Sequence, residues 1–137
     1  MEIIISENQG AKPVTVIQVR GALDGESYQN FIDETQKLYD AGTRDLLVDM
    51  SELTFLSSAG LSAIHRAARV FRGEDSSTFE EGWAAIHAMG KERESGIQQH
   101  VKLLNPDEKI RGVLDTVGFL AFFEIFTDMD AALASFQ

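Results

Sequence analysis

The sequence predicts an α/β fold, a mixed and mostly parallel sheet with an antiparallel N-terminal edge and helices packed on it. Two observations carry that reading. Short β-branched or apolar runs at residues 14–19, 46–48 and 101–104 read as strands, and between them apolar residues recur at helical spacing. Strand and helix patterns also alternate along the chain, the order of βαβ units.

Each element follows from local chemistry. Residues 3–5 form a short strand that pairs with residues 14–19, joined by the turn-prone Asn8-Gln9-Gly10 and limited by Pro13. Gly21 ends the second strand. Asp24 then caps a helix, with Ser27 as a second cap candidate, and Phe31, Ile32, Thr35, Leu38 and Tyr39 form its apolar face until Gly42 stops it. Asp45-Leu46-Leu47-Val48-Asp49 is a buried-type strand, and Met50 to Leu56 reads as a loop. Ser57-Ser58 opens a helix whose core face is Leu61, Ile64, Ala68 and Phe71. Residues 100–104 resume the strand pattern. Asn105 as cap and Pro106 at the first helical position begin another helix, with Ile110, Val113, Leu114 and Val117 on its apolar face and Gly118 at its end. Residues 122–126 make a last strand, and Asp128 caps a last helix through Leu133 and Phe136.

Residues 74–99 differ from the rest, being polar and acidic with glycines at 82, 90 and 96. Phe79, Trp83, Ile86 and Met89 fall at helical spacing within them, so a short amphipathic helix is expected. An exposed stripe containing the chain's one tryptophan would be costly. The stripe is therefore expected to be buried, either on the parent domain or in a homo-oligomer or partner interface.

The 137 residues suit a single domain with one core. Hydrophobic residues make up 44% and charged residues 25%, the balance of a soluble globular protein. With no cysteine, disulfides and thiolate metal sites are excluded. The N-terminus has neither the basic start nor the apolar core of a signal peptide, and no apolar run is long enough for membrane insertion. Twenty-two acidic residues against 12 basic ones give a net charge of −10, which disfavours nucleic acid and anionic lipid surfaces.

The segment Asp49-Met50-Ser51-Glu52-Leu53-Thr54-Phe55-Leu56-Ser57-Ser58-Ala59-Gly60-Leu61 resembles the signature of the STAS family, named for sulfate transporters and anti-sigma factor antagonists. That signature is a strand ending in Asp-x-Ser, a loop with an aromatic, and Asp-Ser-Ser/Ala-Gly-Leu at the start of a helix. Gly21-Ala22-Leu23-Asp24 is similar to the Gly-x-Leu-Asp after the second family strand. Leu104-Asn105-Pro106, with Val113, Leu114 and Gly118-Phe119, is similar to the family's fourth strand and third helix. The resemblance spans the chain except residues 74–99, an insertion where the family has a short connection.

The resemblance implies a STAS-like fold and a bacterial, cytoplasmic, non-enzymatic phosphoprotein acting in signal transduction and transcription regulation. It would bind a Ser/Thr protein kinase that serves as an anti-sigma factor, in its unphosphorylated form, and a Ser/Thr phosphatase would reset it. Ser58 is the phosphorylation site by alignment of the motif, with Ser57, which stands where the family has an acid, as the other acceptor candidate. Helical spacing places Ser58, Ser62, His65 and Arg69 on one stripe, which with Asp24 makes up the implied partner-binding set. The alternative is a structural STAS subunit of a larger assembly, a lipid-transport complex or a stress-sensing particle.

Independently of family, a serine at a helix N-terminus faces unpaired N–H groups and the positive end of the dipole. A phosphoryl group of about −1.5 to −2 charges is held there without unfolding the chain. The bland function of such a serine is a cap worth about 1 kcal/mol. Enzyme motifs fail. Gly60-Leu61-Ser62-Ala63 ends on Ile64 rather than glycine, and no strand runs into Gly60. His65, His87 and His100 lack metal-ligand spacing, and Glu80-Glu81 reads as solvation, so no catalytic residue, metal or cofactor is expected.

Overall fold

The computed structural model describes residues 1–8, 12–73 and 98–136. The stripe Phe79, Trp83, Ile86 and Met89, and nearly all of the insertion, lie outside the described residues. In chain order the elements are β1 (Glu2–Asn8), β2 (Val14–Leu23), α1 (Tyr28–Asp40), β3 (Leu46–Asp49), β4 (Leu53–Leu56) and α2 (Ser58–Val70). Then come β5 (Gln98–Leu104), α3 (Glu108–Thr116), the single turn α4 (Phe119–Phe122), β6 (Phe123–Phe126) and α5 (Met129–Ala134).

The sheet runs β1-β2-β3-β5-β6, with β4 attached to β2 alone. β1 is antiparallel to β2, from Glu2 opposite Arg20 to Asn8 opposite Val14, and every other pairing is parallel. The expected architecture, a mixed and mostly parallel sheet with an antiparallel N-terminal edge, is the one observed. All four residues of β3 are buried, as the central strand of a sheet covered on both faces requires. Leu46 and Val48, with Ile17, Val19, Val101 and Leu103, face a core filled by Phe31 of α1, Leu61, Ile64 and Ala68 of α2, Ile110 and Leu114 of α3, and Phe119 and Phe122. Leu47 points the other way and joins Val14, Val16 and Leu104 beneath Ala132 of α5 and Phe136. This is the period-two alternation of a strand applied to two layers. A fully buried aromatic such as Phe31 contributes about 1.5–3 kcal/mol.

Polar side chains tie the layers. Lys102, 3% exposed on the α5 side, donates to the carbonyl and hydroxyl oxygens of Ser135 at 3.0 Å and faces the Phe136 ring at 4.6 Å. A lysine at a helix C-terminus meets unpaired carbonyls and the negative end of the dipole. At the opposite end of the strands from α2's start, buried Asp45 lies 3.1 Å from Lys12 Nζ and 3.1 Å from His100 Nδ1.

Several boundaries differ from expectation. Gly21 does not end β2. It takes a φ of +92°, and the strand runs on to Leu23. That glycine kink lets β2 leave β3 and pick up β4, which occupies the second half of the expected loop from Met50 to Leu56. Asp24 does not cap α1. Ser27 holds the N-cap position, and its hydroxyl turns back to donate to the Ala22 carbonyl at 2.8 Å. Asn105 and Pro106 do not start α3: Asn105 has a φ of +55°, its N–H donates to the Phe126 carbonyl, and Asp107 caps the helix by accepting from Ile110 N at 2.8 Å. Phe122 closes α4 rather than opening β6. Gly42 and Gly118 end their helices as expected, at φ values of +111° and +83°.

Candidate functional site

The serine pair sits where β4 turns into α2. Ser57 is the N-cap, in extended conformation, and its hydroxyl oxygen accepts from Gly60 N at 3.2 Å. Ser58 is the first helical residue and is exposed, and among the described residues its hydroxyl has no hydrogen-bond partner. The two serines therefore have different duties, one committed to the cap and one presented to solvent. This distinction is invisible in the sequence.

Gly60 makes the arrangement possible. The Ser57 N–H donates to the Leu23 carbonyl at 3.1 Å, which draws the first turn of α2 onto the end of β2. A Cβ on residue 60 would press into that same carbonyl oxygen and lie 2.8 Å from Leu56 Cδ1. Only glycine allows so close an approach of helix to strand. The Gly in the signature is thus a packing requirement of the serine's platform.

Asp24 follows Leu23 directly, so it stands beside Ser57. It is half-buried, its Oδ1 accepts from Glu26 N at 3.0 Å, and its own N–H donates to the Ser27 hydroxyl oxygen at 3.0 Å. Its carboxylate orders the β2–α1 turn as an Asx turn. On the far side, Asp49 ends β3 and accepts from Ser51 N at 2.9 Å and from Gln18 Nε2 at 3.3 Å, which fixes the turn into β4.

The stripe on α2 divides. Ser58 is exposed and Arg69 half-buried, but Ser62 is 8% exposed and its hydroxyl is bonded back to the Ala59 carbonyl at 2.8 Å. His65 is 1% exposed and stands edge-on to the Phe122 ring at 6.2 Å. The expected surface role for His65 is corrected by that packing: the Phe119–Phe122 turn, remote in sequence, covers its side of the helix. Sequence reasoning gave no role to Phe55, which is 47% exposed beside the serines. Its signal was available as the aromatic of the family signature, in a stretch read as a loop. Among the described residues no group of three His, Cys, Asp or Glu side chains could hold a metal ion, and no helix is long and apolar enough to cross a membrane.

Comparison with known proteins places this geometry. The family model described as Mlab, STAS domain, matches residues 7–78. A Thermotoga maritima protein assigned as an anti-sigma factor antagonist superposes with a TM-score of 0.71 at 14% identity, over 96% of this chain and 92% of that one. An anti-sigma factor antagonist from Mycobacterium paratuberculosis gives 0.65 at 16% identity, covering 98% and 92%. The phosphorylated form of SpoIIAA, a Bacillus cell fate determinant, gives 0.60 at 14% identity, covering 98% and 100%. At these identities the likeness is one of fold. No curated protein matches the sequence.

Proposed function

The chain belongs to the STAS domain family, and from that premise we propose that it is a phospho-switch of the anti-sigma factor antagonist kind. In its unphosphorylated form it binds a Ser/Thr kinase acting as an anti-sigma factor, and a phosphatase restores that form. It works in the cytoplasm as one domain with an insertion, and does no chemistry of its own. The observation that carries the proposal is the exposed hydroxyl of Ser58, without a hydrogen-bond partner among the described residues, at the first position of a 13-residue helix whose cap is already supplied by Ser57.

A phosphoryl group on Ser58 meets the unpaired first-turn N–H groups and the positive dipole end, worth about 0.3–1 kcal/mol at an exposed site. Nothing in the cap has to break, so both states share one fold. A kinase that has just transferred its γ-phosphoryl group holds a nucleoside diphosphate facing the new phosphoserine. Like charges then oppose each other across a surface that binding must desolvate, and the complex loosens. Asp24 stands beside the acceptor as a partner contact and Arg69, in the last turn of α2, is a second contact further along the same surface, while Ser62 and His65 support the helix from beneath.

The test is incubation with the co-encoded Ser/Thr kinase and ATP, followed by peptide mass spectrometry. One phosphoryl group on Ser58 is expected. Ser58→Ala keeps kinase binding and loses the switch, and Ser58→Asp weakens binding in part, because one carboxylate is a poor dianion. A chain that takes no phosphate but holds a protein partner constitutively fits the structural-subunit role instead.

A further inference from the structure

β4 has an unusual burial pattern. Leu53 and Leu56 are buried, while Thr54 and Phe55 are exposed. A regular strand would alternate and send Phe55 to the same side as Leu53. The cause is a one-residue register shift: Gly21 pairs with Leu53 and Ala22 with Phe55, leaving Thr54 without a partner. Such bulges re-aim side chains, and they concentrate next to functional sites. Here the bulge holds both leucines in the core and turns the aromatic outward. Phe55 is the most exposed large apolar side chain among the described residues, at 47%.

The segments on either side of its strand pair carry acids. Asp24 and Glu26 lie in the loop leaving β2, and exposed Glu52 precedes β4, its carbonyl bonded to Gly21 N at 3.0 Å. Ser58 follows three positions after Phe55 in the sequence. We infer that Phe55 is the apolar anchor of the docking surface for the kinase, and that it enters an apolar pocket of the kinase rimmed by Arg or Lys side chains facing Asp24, Glu26 and Glu52. The inference rests on the switch reading given above. The rim charges set the encounter, the buried ring sets the lifetime of the complex, and Ser58 is thereby held against the nucleotide. A second copy of this chain is a poor occupant, since it would bring the same acids.

The experiment measures binding of the co-encoded Ser/Thr kinase, loaded with ADP, to the full chain and to the variants Phe55→Ala, Phe55→Leu and Glu26→Lys. Thermal unfolding serves as the check on folding. An exposed anchor of this kind costs about thirtyfold in affinity when truncated, with Leu restoring part of it. Phe55→Ala is expected to raise the dissociation rate and the KM for Ser58 phosphorylation. Glu26→Lys is expected to lower the association rate and flatten its salt dependence. Phe55→Ala binding within twofold of the parent chain overturns the anchor and leaves the switch standing. A parent chain that neither binds the kinase nor is phosphorylated overturns the switch, and the anchor with it. Self-association of the parent chain that Phe55→Ala abolishes makes a second copy the occupant and also overturns the proposal.

Discussion

Replacing Gly60 by Ala tests the central packing claim, because helix propensity and packing predict opposite signs. In a helix interior Gly→Ala is worth roughly 1 kcal/mol of stabilisation. At position 60, however, the new Cβ would press into the Leu23 carbonyl oxygen and sit 2.8 Å from Leu56 Cδ1 and 3.0 Å from Leu23 Cγ. The first of these is backbone and cannot swing aside, so the first turn of α2 must move away. Overpacking of this kind costs about 1–3 kcal/mol. The displacement also stretches the Ser57 N–H bond to Leu23, for about 1 kcal/mol more. Set against the propensity gain, the net loss is about 1–3 kcal/mol, or roughly 4–12 °C in Tm at about 4 °C per kcal/mol. Gly112→Ala is the matched control, since a Cβ there in the middle of α3 meets nothing within 4 Å. It should leave stability unchanged or raise it by up to about 1 kcal/mol. Urea denaturation followed by circular dichroism gives both values, and an unchanged m-value shows that the folded states are comparable. A Gly60→Ala chain as stable as the parent, or stabilised like Gly112→Ala, would refute the reasoning.

Two further substitutions probe neighbouring claims. Ser57→Ala removes the cap bond to Gly60 N and should cost about 1 kcal/mol in the same denaturation assay, while phosphate still maps to Ser58. Loss of phosphorylation with the fold retained would move the acceptor to Ser57. Lys102→Met keeps apolar bulk beside Phe136 but gives up both bonds to Ser135, for about 1–2 kcal/mol, whereas Lys102→Ala also opens a void and should cost about 2–4 kcal/mol. Hydrogen exchange should show the loss first at the amides of α5, and protection equal to the parent in both variants would deny Lys102 its anchoring role.

The sequence alone determined what repeats on a short scale. Most strands and the helix faces came from short apolar runs and from periodicities of two and three to four, and the mostly parallel sheet from their alternation along the chain, because each face packs against a layer and the pattern records that burial. The serine pair, the Asp24 turn and the glycine before Leu61 were legible as a motif, since those residue types have few other uses in that order. What was not legible depends on contacts between distant segments. β4 hid because its four residues are bulged, so Leu53 and Leu56 both point inward and no alternation survives, while its partner is the tail of β2. The start of α3 was misplaced because the Asn105 N–H is claimed by Phe126, a residue that enters from the last strand. His65 and Arg69 look equivalent on a helical wheel, and only the arrival of Phe122 buries one and leaves the other at the surface. The division of labour between Ser57 and Ser58 was likewise decided in three dimensions. Ser57 is still extended, so its hydroxyl reaches forward to Gly60 N, whereas Ser58 is already helical and turns its hydroxyl to solvent.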